Sequence, residues 1–366
     1  MERRHHQSTT AVAPFLYYSL PRRPAIPAVE VEPFGAAHIP AAARLLAARH
    51  AAGRARLPFL TARLEDPSAC ELEVAALLRK KRTSGAVALH NGAVVGYLFG
   101  EQMLFAPYHN AYQYLHPHSI AIPVLGHAVA GDRDASAVLQ ALYGFMAESW
   151  VRDGYFAHRL YLVPGDPAEL EAWVSLGFGR HTTCAVRETA LPVRGSPAAG
   201  VEIHRAGPED LAVVMDLAHL LGLHHVQAPM FWPLLKTTEQ AAREHHAQEL
   251  ESGRTPYFIA YRNGRPAGMQ TFIRPGFTPA IISYETDVYL HEGVVDPQAR
   301  GEGVGGALLA HAMAWASESG YTTCTLHFAS NNPSGAPFWL GQGFIPVEHS
   351  MDRIIDSRIA WANGWA

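Results

Sequence analysis

Apolar and polar positions follow the same order twice along this chain. Each half opens with a short apolar strand and an amphipathic helix, predicted at residues 29–31 with 37–51 and at 201–205 with 208–222. An Asn-Gly pair between apolar runs then predicts a hairpin in each half, because both turn residues must tolerate positive φ; the pairs are Asn91-Gly92 and Asn263-Gly264. A longer strand, a helix, a strand, a helix and a strand follow in both halves.

The ends of the two halves also match and give domain limits. Each carries a Trp followed four residues later by Gly-Phe, as Trp173 with Gly177-Phe178 and Trp339 with Gly343-Phe344. The repeated order predicts a mixed α/β protein built from two copies of one domain. Proline and glycine content predicts an arm at 1–28 and a linker at 191–200. The domains are therefore expected at 29–190 and 201–366.

Composition excludes several classes of protein. Apolar residues make up 48% of the 366 positions, which is too many for a disordered chain. The net charge of −4 offers no basic field for nucleic acid or an anionic membrane. Three scattered cysteines and the lack of a signal peptide predict a cytoplasmic protein without a disulfide framework. No stretch is long and apolar enough for a membrane span, and the histidine pairs do not have metal-ligand spacing, so no metal is expected.

One segment of the second half carries recognisable chemistry. An apolar strand at 289–295 leads into the glycine-dense turn 296–306, and an apolar helix is predicted at 307–319. The free N–H groups and the dipole of a helix N-terminus attract anions, and glycines let the backbone approach a phosphate closely. Arg300 adds a charged donor suited to phosphate oxygens. This turn is therefore a candidate phosphate site.

Two familiar nucleotide motifs fit the turn poorly. A P-loop needs Gly-Lys-Ser/Thr where this chain has Gly305-Gly306-Ala307. The spacing of Gly301, Gly303 and Gly306 matches the dinucleotide pattern GxGxxG. That pattern also requires an acidic residue at the end of the next strand, and the strand predicted at 321–328 has none. Both alternatives are disfavoured.

A third interpretation rests on a resemblance to a known family. Arg300-x-x-Gly303-x-Gly305, followed by Asn331, Phe338-Trp339 and Gly343-Phe344, resembles the two signatures of the GNAT superfamily of acyl-CoA N-acyltransferases. The likeness covers the second domain well and the first weakly. It implies two tandem GNAT-like domains, each a mixed, mostly antiparallel sheet flanked by helices. The tandem layout is similar to that of the mycothiol synthase family, in which one half is active.

The resemblance also implies a binding mode for acetyl-CoA. The pyrophosphate would lie on the helix N-terminus and the pantetheine arm along the preceding strand. The cofactor contacts that it assigns are Val294, Val295, Arg300, Gly301, Gly303, Val304, Gly305, Gly306 and, at the far end of the arm, Asn331. The corresponding stretch of the first domain, 132–138, has no glycine and two aspartates. We expect that domain to be degenerate and to form one wall of the acceptor cleft.

Transfer to an amine calls for a general base and an oxyanion donor. The resemblance places the base on the long strand, where Glu292 and then Asp287 are the candidates. Strict alternation puts these two carboxylates on opposite faces unless a bulge intervenes. The tyrosine that usually acts as the acid is replaced by Trp339, whose indole does not titrate. Ser334 or water is the expected substitute.

The acceptor is the least defined part of the prediction. The stretch 219–232, rich in histidine and aromatic residues, is expected between the first two helices, where this superfamily builds its acceptor pocket. The sequence predicts an acetyltransferase that joins the acetyl group of acetyl-CoA to a primary amine of a small molecule, by direct attack on the thioester. An enzyme acting on a protein or peptide amine and a non-catalytic acyl-CoA-binding sensor are the alternatives. The expected partner is the amine alone, with the chain a monomer or homodimer.

Overall fold

A computed structural model of the protein describes residues 29–107, 109, 114–195, 199–274 and 276–362. The arm expected at 1–28 lies outside these residues. The strands are β1 (Glu30–Pro33), β2 (Thr83–His90), β3 (Ala93–Leu104), β4 (His118–Ile122), β5 (His127–Val129), β6 (Ala157–Leu162), β7 (Gly179–Glu188), β8 (Val201–Arg205), β9 (Tyr257–Arg262), β10 (Arg265–Ile273), β11 (Asp287–Val295), β12 (Thr323–Ala329) and β13 (Ile345–Ile354). The helices are α1 (Ile39–Arg56), α2 (Pro67–Arg79), α3 (Ala135–Arg152), α4 (Pro167–Ser175), α5 (Leu211–Val226), α6 (Glu239–Ser252), α7 (Val304–Glu318), α8 (Gly335–Gly341) and α9 (Ile359–Ala362).

The two halves repeat one order of elements. Each has a strand, two helices, a hairpin, a further strand, a helix, a strand, a short helix and a last strand. The further strand is continuous as β11 in the second half and divided into β4 and β5 in the first, and α9 follows the last strand of the second half alone among the described residues. The hairpins β2–β3 and β9–β10 turn at the predicted Asn-Gly pairs, where Asn91 and Asn263 have φ of 52° and 50°. The apolar pattern predicted one helix before each hairpin, whereas the structure has two. The additional helices are α2 and α6; α6 has few apolar residues, so its period is weak, whereas α2 is rich in them and was missed all the same.

Thirteen strands of the described residues form one sheet, and its order shows how the halves are joined. The order is β1-β2-β3-β4-β6-β13-β7-β12-β11-β10-β9-β8, with β5 beside β3. The last strand of each half pairs with the other half: β13 lies antiparallel to β6, and β7 lies antiparallel to β12. The two strands also pair with each other at the centre of the sheet. The halves are therefore interleaved by an exchange of strands.

Helices cover both faces of this sheet. In the first half α1 and α2 pack on one face and α3 on the other, and in the second half α5 and α6 lie on the first face with α7 on the opposite one. The core under α1 and α2 also contains Ile281, Ile282 and Val347 from the second half. This architecture confirms the predicted fold class of two GNAT-like units. Within the described ranges, no helix is both long and apolar enough to cross a bilayer.

Candidate active site

The site begins where two neighbouring parallel strands of the second half separate. Among the described residues, β11 and β12 pair only from Asp287 to Tyr289, opposite Thr323 to Thr325. Beyond that point β11 continues along β10, with Val294 and Val295 opposite Met269 and Gly268, and is no longer paired with β12 in the ladder. The separation leaves backbone groups on one edge of β11 open to an extended ligand, which can bind there as an added strand does.

The glycine turn closes one end of this gap. Gly303 forms the N-cap of α7 with φ of 81°, a left-handed conformation that favours glycine, and no side chain caps the helix. The first amides of α7 are therefore free to bind an anion. Arg300 lies beside them, with its Nε donating to the carbonyl of Val295 at 3.4 Å. Glu302, the carboxylate in the turn, forms an ion pair with Arg262, which offsets its repulsion of a phosphate.

The gap and the turn form one pocket of about 440 Å³. It brings together most of the residues that the sequence predicted, and these lining residues are Glu292, Val294, Val295, Arg300, Gly301, Gly303, Val304, Gly305, Gly306 and Ser334. Asp287 and Asn331 are not among the residues that line it. A left-handed glycine N-cap, free amides and a long pocket suit a pyrophosphate with an extended arm, so the residues present fit acetyl-CoA.

A β-bulge at His291 orients the candidate base. In the ladder with β10, Phe272 pairs with Leu290 and Thr271 pairs with Glu292, so His291 is an extra residue on β11. The bulge shifts the alternation by one position, and Glu292 now shares a face with Asp287 and Tyr289. This is the face that α5 and α6 cover. The backbone N–H of Glu292 donates to Oγ1 of Thr271 at 3.1 Å, which holds the bulged strand.

The Glu292 carboxyl group is buried beside two histidine side chains. Burial raises its pKa to about 7, and only the proximity of His245 opposes that rise. Oε1 is 3.8 Å from Nε2 of His246, whose Nδ1 is 3.1 Å from the Tyr257 hydroxyl. Oε2 is buried without a hydrogen-bond partner among the described residues. A carboxyl group with a pKa near neutrality and a free oxygen is suited to accept a proton.

Asp287 has a different environment at the start of β11. Its carboxylate accepts hydrogen bonds from the hydroxyls of Thr278 at 2.7 Å, Thr323 at 2.9 Å and Thr325 at 2.6 Å. Burial is the main influence and raises the pKa of Asp287 to about 6, which the three hydroxyls partly oppose. Both oxygens are thus engaged, and the side chain anchors the connection between β10 and β11 to β12.

The opposite wall of the pocket comes from the segment between β12 and α8. Ser334 Oγ lies 3.3 Å from Nε2 of His224 and donates to Oδ1 of Asn332 at 3.2 Å. The same Oδ1 accepts from the backbone N–H of Gly335 at 2.8 Å, so Asn332 fixes the start of α8. Asn331, which the resemblance assigned to the cofactor arm, instead donates to the carbonyl of Pro229 at 2.9 Å. The neighbouring Asn332 lines the pocket, and no sequence signal distinguished the two.

Trp339 lines the pocket at the position where the resemblance implies a tyrosine that acts as the acid. A Cβ on Gly293 would lie only 3.0 Å from Cζ2 of this indole, so the glycine on β11 makes room for the large ring. Neither the motif nor the spacing of residues revealed this pairing.

In the first half, side chains fill the corresponding gap. Val129 of β5 pairs with Gly96 as Val295 pairs with Gly268, so His127 stands where Gly293 stands in the second half. The fully buried His127 ring bonds to the carbonyl of Tyr161 at 3.0 Å and lies 3.1 Å from Oε1 of Glu169. These groups bridge the strands between which the second half has its pocket.

The helix N-terminus of the first half is also occupied. The carboxylate of Asp134 caps α3 by accepting from the backbone N–H groups of Ser136 at 3.0 Å and Ala137 at 3.3 Å. A side-chain anion thus uses the amides that α7 leaves free.

Residues from both halves meet around His225, which lines the pocket, and we call this side of the pocket its mouth. The helix α5 extends to Val226, so the loop after it begins later than expected and carries Trp232. Trp232 stacks on His181 of β7 with ring centroids 5.0 Å apart, and it lies 4.9 Å from the ring of His225 and 6.2 Å from that of Tyr114. The mouth is therefore aromatic and shared between the halves. Within the parts of the chain that the structure describes, no group of three or more His, Cys, Asp or Glu could hold a metal ion.

Parallel strands that separate beside a glycine-capped helix are the arrangement that the resemblance to the GNAT superfamily implied, and a comparison with family models agrees for this part of the chain. Residues 222–344 match the model of the Acetyltransferase (GNAT) family. The second half of the chain therefore carries a GNAT-family acetyltransferase domain. Comparison with the curated proteins finds no match.

Solved structures extend the likeness to the whole chain. A GCN5-related N-acetyltransferase from Sphaerobacter thermophilus is 14% identical with a TM-score of 0.53, over 90% of this chain and 98% of that one. A GCN5-related glucosamine N-acetyltransferase region of a fungal multi-domain GH3 beta-N-acetylglucosaminidase is 13% identical with a TM-score of 0.52, over 90% of this chain and 38% of that one. A tandem GNAT protein from the clavulanic acid biosynthesis pathway is 16% identical with a TM-score of 0.46, over 89% and 98%. At these identities the likeness shows the fold alone.

Proposed function

We propose that the protein is an N-acetyltransferase that joins the acetyl group of acetyl-CoA to a primary amine of a small molecule. The observation that carries the proposal is the Glu292 carboxyl group, which lies in the acyl-CoA pocket with a free oxygen and a pKa raised by burial to about 7. A base with that pKa can accept the proton of an attacking amine near neutral pH. The GNAT domain itself supports acyl transfer in general.

The reaction would be a direct attack on the thioester. The amine nitrogen forms a bond to the acetyl carbon, the bond from that carbon to sulfur breaks, and the amine proton passes to Glu292. The leaving thiolate has a pKa close to that of cysteine, about 8.5, so it can take its proton from water without a strong acid, either directly or through the Ser334 hydroxyl, which would regain a proton from water in the same step. The free amides of α7 and Arg300 hold the pyrophosphate, and the open edge of β11 at Val294 and Val295 orients the pantetheine arm.

The first half would serve as a scaffold and as one wall of the acceptor cleft. The filled gap at His127 and the capping of α3 by Asp134 both support a domain that binds no acyl-CoA. Tyr114 and His181 of this half face Trp232 at the mouth, which supports an acceptor with an aromatic or apolar body.

A second candidate is a non-catalytic protein that binds acyl-CoA as a sensor. Trp339 favours it, because the indole at the usual position of the acid does not titrate. The two candidates share the pocket and differ only in turnover.

Release of free thiol from acetyl-CoA distinguishes these functions. The full chain is offered small aromatic primary amines, polyamines, free lysine and a peptide with a free N-terminus, and thiol is measured over time. We expect release with the aromatic amines. Acetyl-CoA binding in calorimetry with no thiol release from any amine would identify a sensor, and release with the peptide alone would identify a peptide acetyltransferase.

A further inference from the structure

Three buried polar atoms without partners belong to neighbouring residues of the candidate site, one of them the candidate base. They are Oε2 of Glu292, Nδ1 of His291 and Nε2 of His245, and each lacks a hydrogen-bond partner among the described residues. The rings of His245 and His291 contact each other edge to face with centroids 5.3 Å apart. Buried polar atoms are nearly always paired in folded proteins, so these three atoms require partners from bound water or from a ligand.

The chemistry of the three atoms indicates what kind of partner they need. Burial lowers the pKa of His291 to about 3 and also lowers that of His245, so both rings are neutral at pH 7. A neutral imidazole carries its proton on one nitrogen and offers a lone pair on the other. Since neither Nδ1 of His291 nor Nε2 of His245 donates a hydrogen bond among the described residues, each ring can keep its proton on the other nitrogen. All three atoms can then accept a hydrogen bond.

The cluster lies in the part of the site where the acceptor would arrive. His291 and Glu292 line the pocket, and they belong to the bulge on β11. His245 comes from α6, which covers this face of the sheet. Phe277 lies 5.9 Å from the His291 ring and is largely exposed, so an apolar surface leads from solvent to the cluster.

We propose that Glu292, His245 and His291 together bind the ammonium group of the acceptor, each accepting one of its three N–H hydrogen bonds. This inference rests on the acetyltransferase function proposed above. It makes the two histidines specificity-determining residues that select a primary amine. A protonated secondary amine has only two N–H groups and leaves one buried acceptor unpaired, which is unfavourable. Glu292 would then take the proton that must leave before attack and release it to water, so that the carboxylate can accept the second proton, which leaves the nitrogen as the amide forms.

The first test does not require the natural acceptor. The full chain with ¹⁵N-labelled histidine is titrated with methylammonium chloride, and tetramethylammonium chloride, which has no N–H group, serves as the ionic control. His245→Gln and His291→Asn assign the signals. We expect methylammonium alone to shift the imidazole nitrogens of His245 and His291. No shift, or equal shifts with both salts, would overturn the proposal.

The second test uses turnover of benzylamine and N-methylbenzylamine. The wild-type ratio of kcat/KM for the two amines is expected to be about 10 to 100, the effect of one unpaired buried acceptor. His245→Phe and His291→Phe should reduce this ratio toward one, whereas His245→Gln, which keeps an acceptor near Nε2, should retain most of it. His204→Gln on the exposed part of β8 is the matched control and should change nothing.

The outcomes separate this inference from the proposed function. Thiol release with amines, together with an unchanged ratio in His245→Phe and His291→Phe, would refute the ammonium site and leave the acetyltransferase in place. Shifts with methylammonium alone, together with no thiol release from any amine, would support the ammonium site and reject the acetyltransferase.

Discussion

Two carboxylates on the same face of β11 differ because of what surrounds each of them. Asp287 gives its oxygens to three threonine hydroxyls, whereas Glu292 keeps Oε2 free. Burial raises the pKa of both groups, to about 6 for Asp287 and about 7 for Glu292. The residue type therefore leaves the choice of base open, and the free Oε2 of Glu292 is the reason that we propose Glu292.

Replacing Glu292 tests this assignment through the pH dependence of the rate. Glu292 must be deprotonated to act as a base, so kcat/KM should rise as the pH increases toward about 7 and level off above it. Glu292→Gln should lower kcat about 100-fold, as expected for the loss of a general base. The variant should also lose the rise of kcat/KM near pH 7, which is the limb of the pH profile that we assign to Glu292. It should retain only the change of kcat/KM with pH that comes from deprotonation of the amine substrate.

Asp287→Asn provides the matched control for this measurement. Because Asp287 is bound to threonines outside the pocket, its replacement should leave the limb near pH 7 in place. A limb that disappears in Asp287→Asn and persists in Glu292→Gln would assign the base to Asp287.

Among the elements, equivalent helices of the two halves differ at their N-termini. The N-cap of α3 is Asp134, which uses the first amides of its own helix, and the N-cap of α7 is Gly303, which leaves those amides free. The N-cap residue therefore makes the difference: the first amides of α3 are bonded to Asp134, whereas those of α7 are available to bind an anion.

Gly303→Ala should weaken the binding of acetyl-CoA about tenfold, because Cβ is strained at φ of 81° and the turn must move away from the phosphates. Gly320→Ala is the matched control: Gly320 follows the other end of α7 with φ of 85°, and a Cβ there has open space. Both variants should lower stability by about 1 kcal/mol. Calorimetry should show one acetyl-CoA per chain in the wild type, and equal affinities for the two variants would contradict this role of the turn.

In the whole molecule, the exchange of β7 and β13 makes each half complete the sheet of the other. A chain that stopped near residue 195 would lack β13 beside β6 and would leave β7 without β12. If an isolated half failed to bind acetyl-CoA, the cause could be incomplete folding and not the lack of a binding site. Binding is therefore measured on the full chain.

A cut in the linker tests this exchange. We insert a specific protease site between Gly195 and Gly200, cleave the folded protein and measure the size of the product by gel filtration. The two pieces should elute together near 40 kDa, and they should separate only in denaturant, because three pairs of strands cross between the halves. Two species of half the mass in native buffer would show that the strands are not exchanged.

The sequence by itself determined the features that depend on near neighbours. The Asn-Gly hairpins, the repeated order of elements and the glycine turn at Arg300 to Gly306 all follow from conformations that only certain residues adopt locally. The missing glycines at 132–138 likewise predicted a first half without the anion site. The sequence did not predict α6, because few apolar residues mark its helical period.

The tertiary structure decided whatever depends on strands that pair across long stretches of chain. The bulge at His291 exists only in register with β10, and it moved Glu292 to the face of Asp287. The meeting of His245 with His291 joins α6 to β11, and the exchange of β7 and β13 joins the two halves. Such contacts form between residues that are distant in sequence, so no local pattern of apolar and polar residues encodes them.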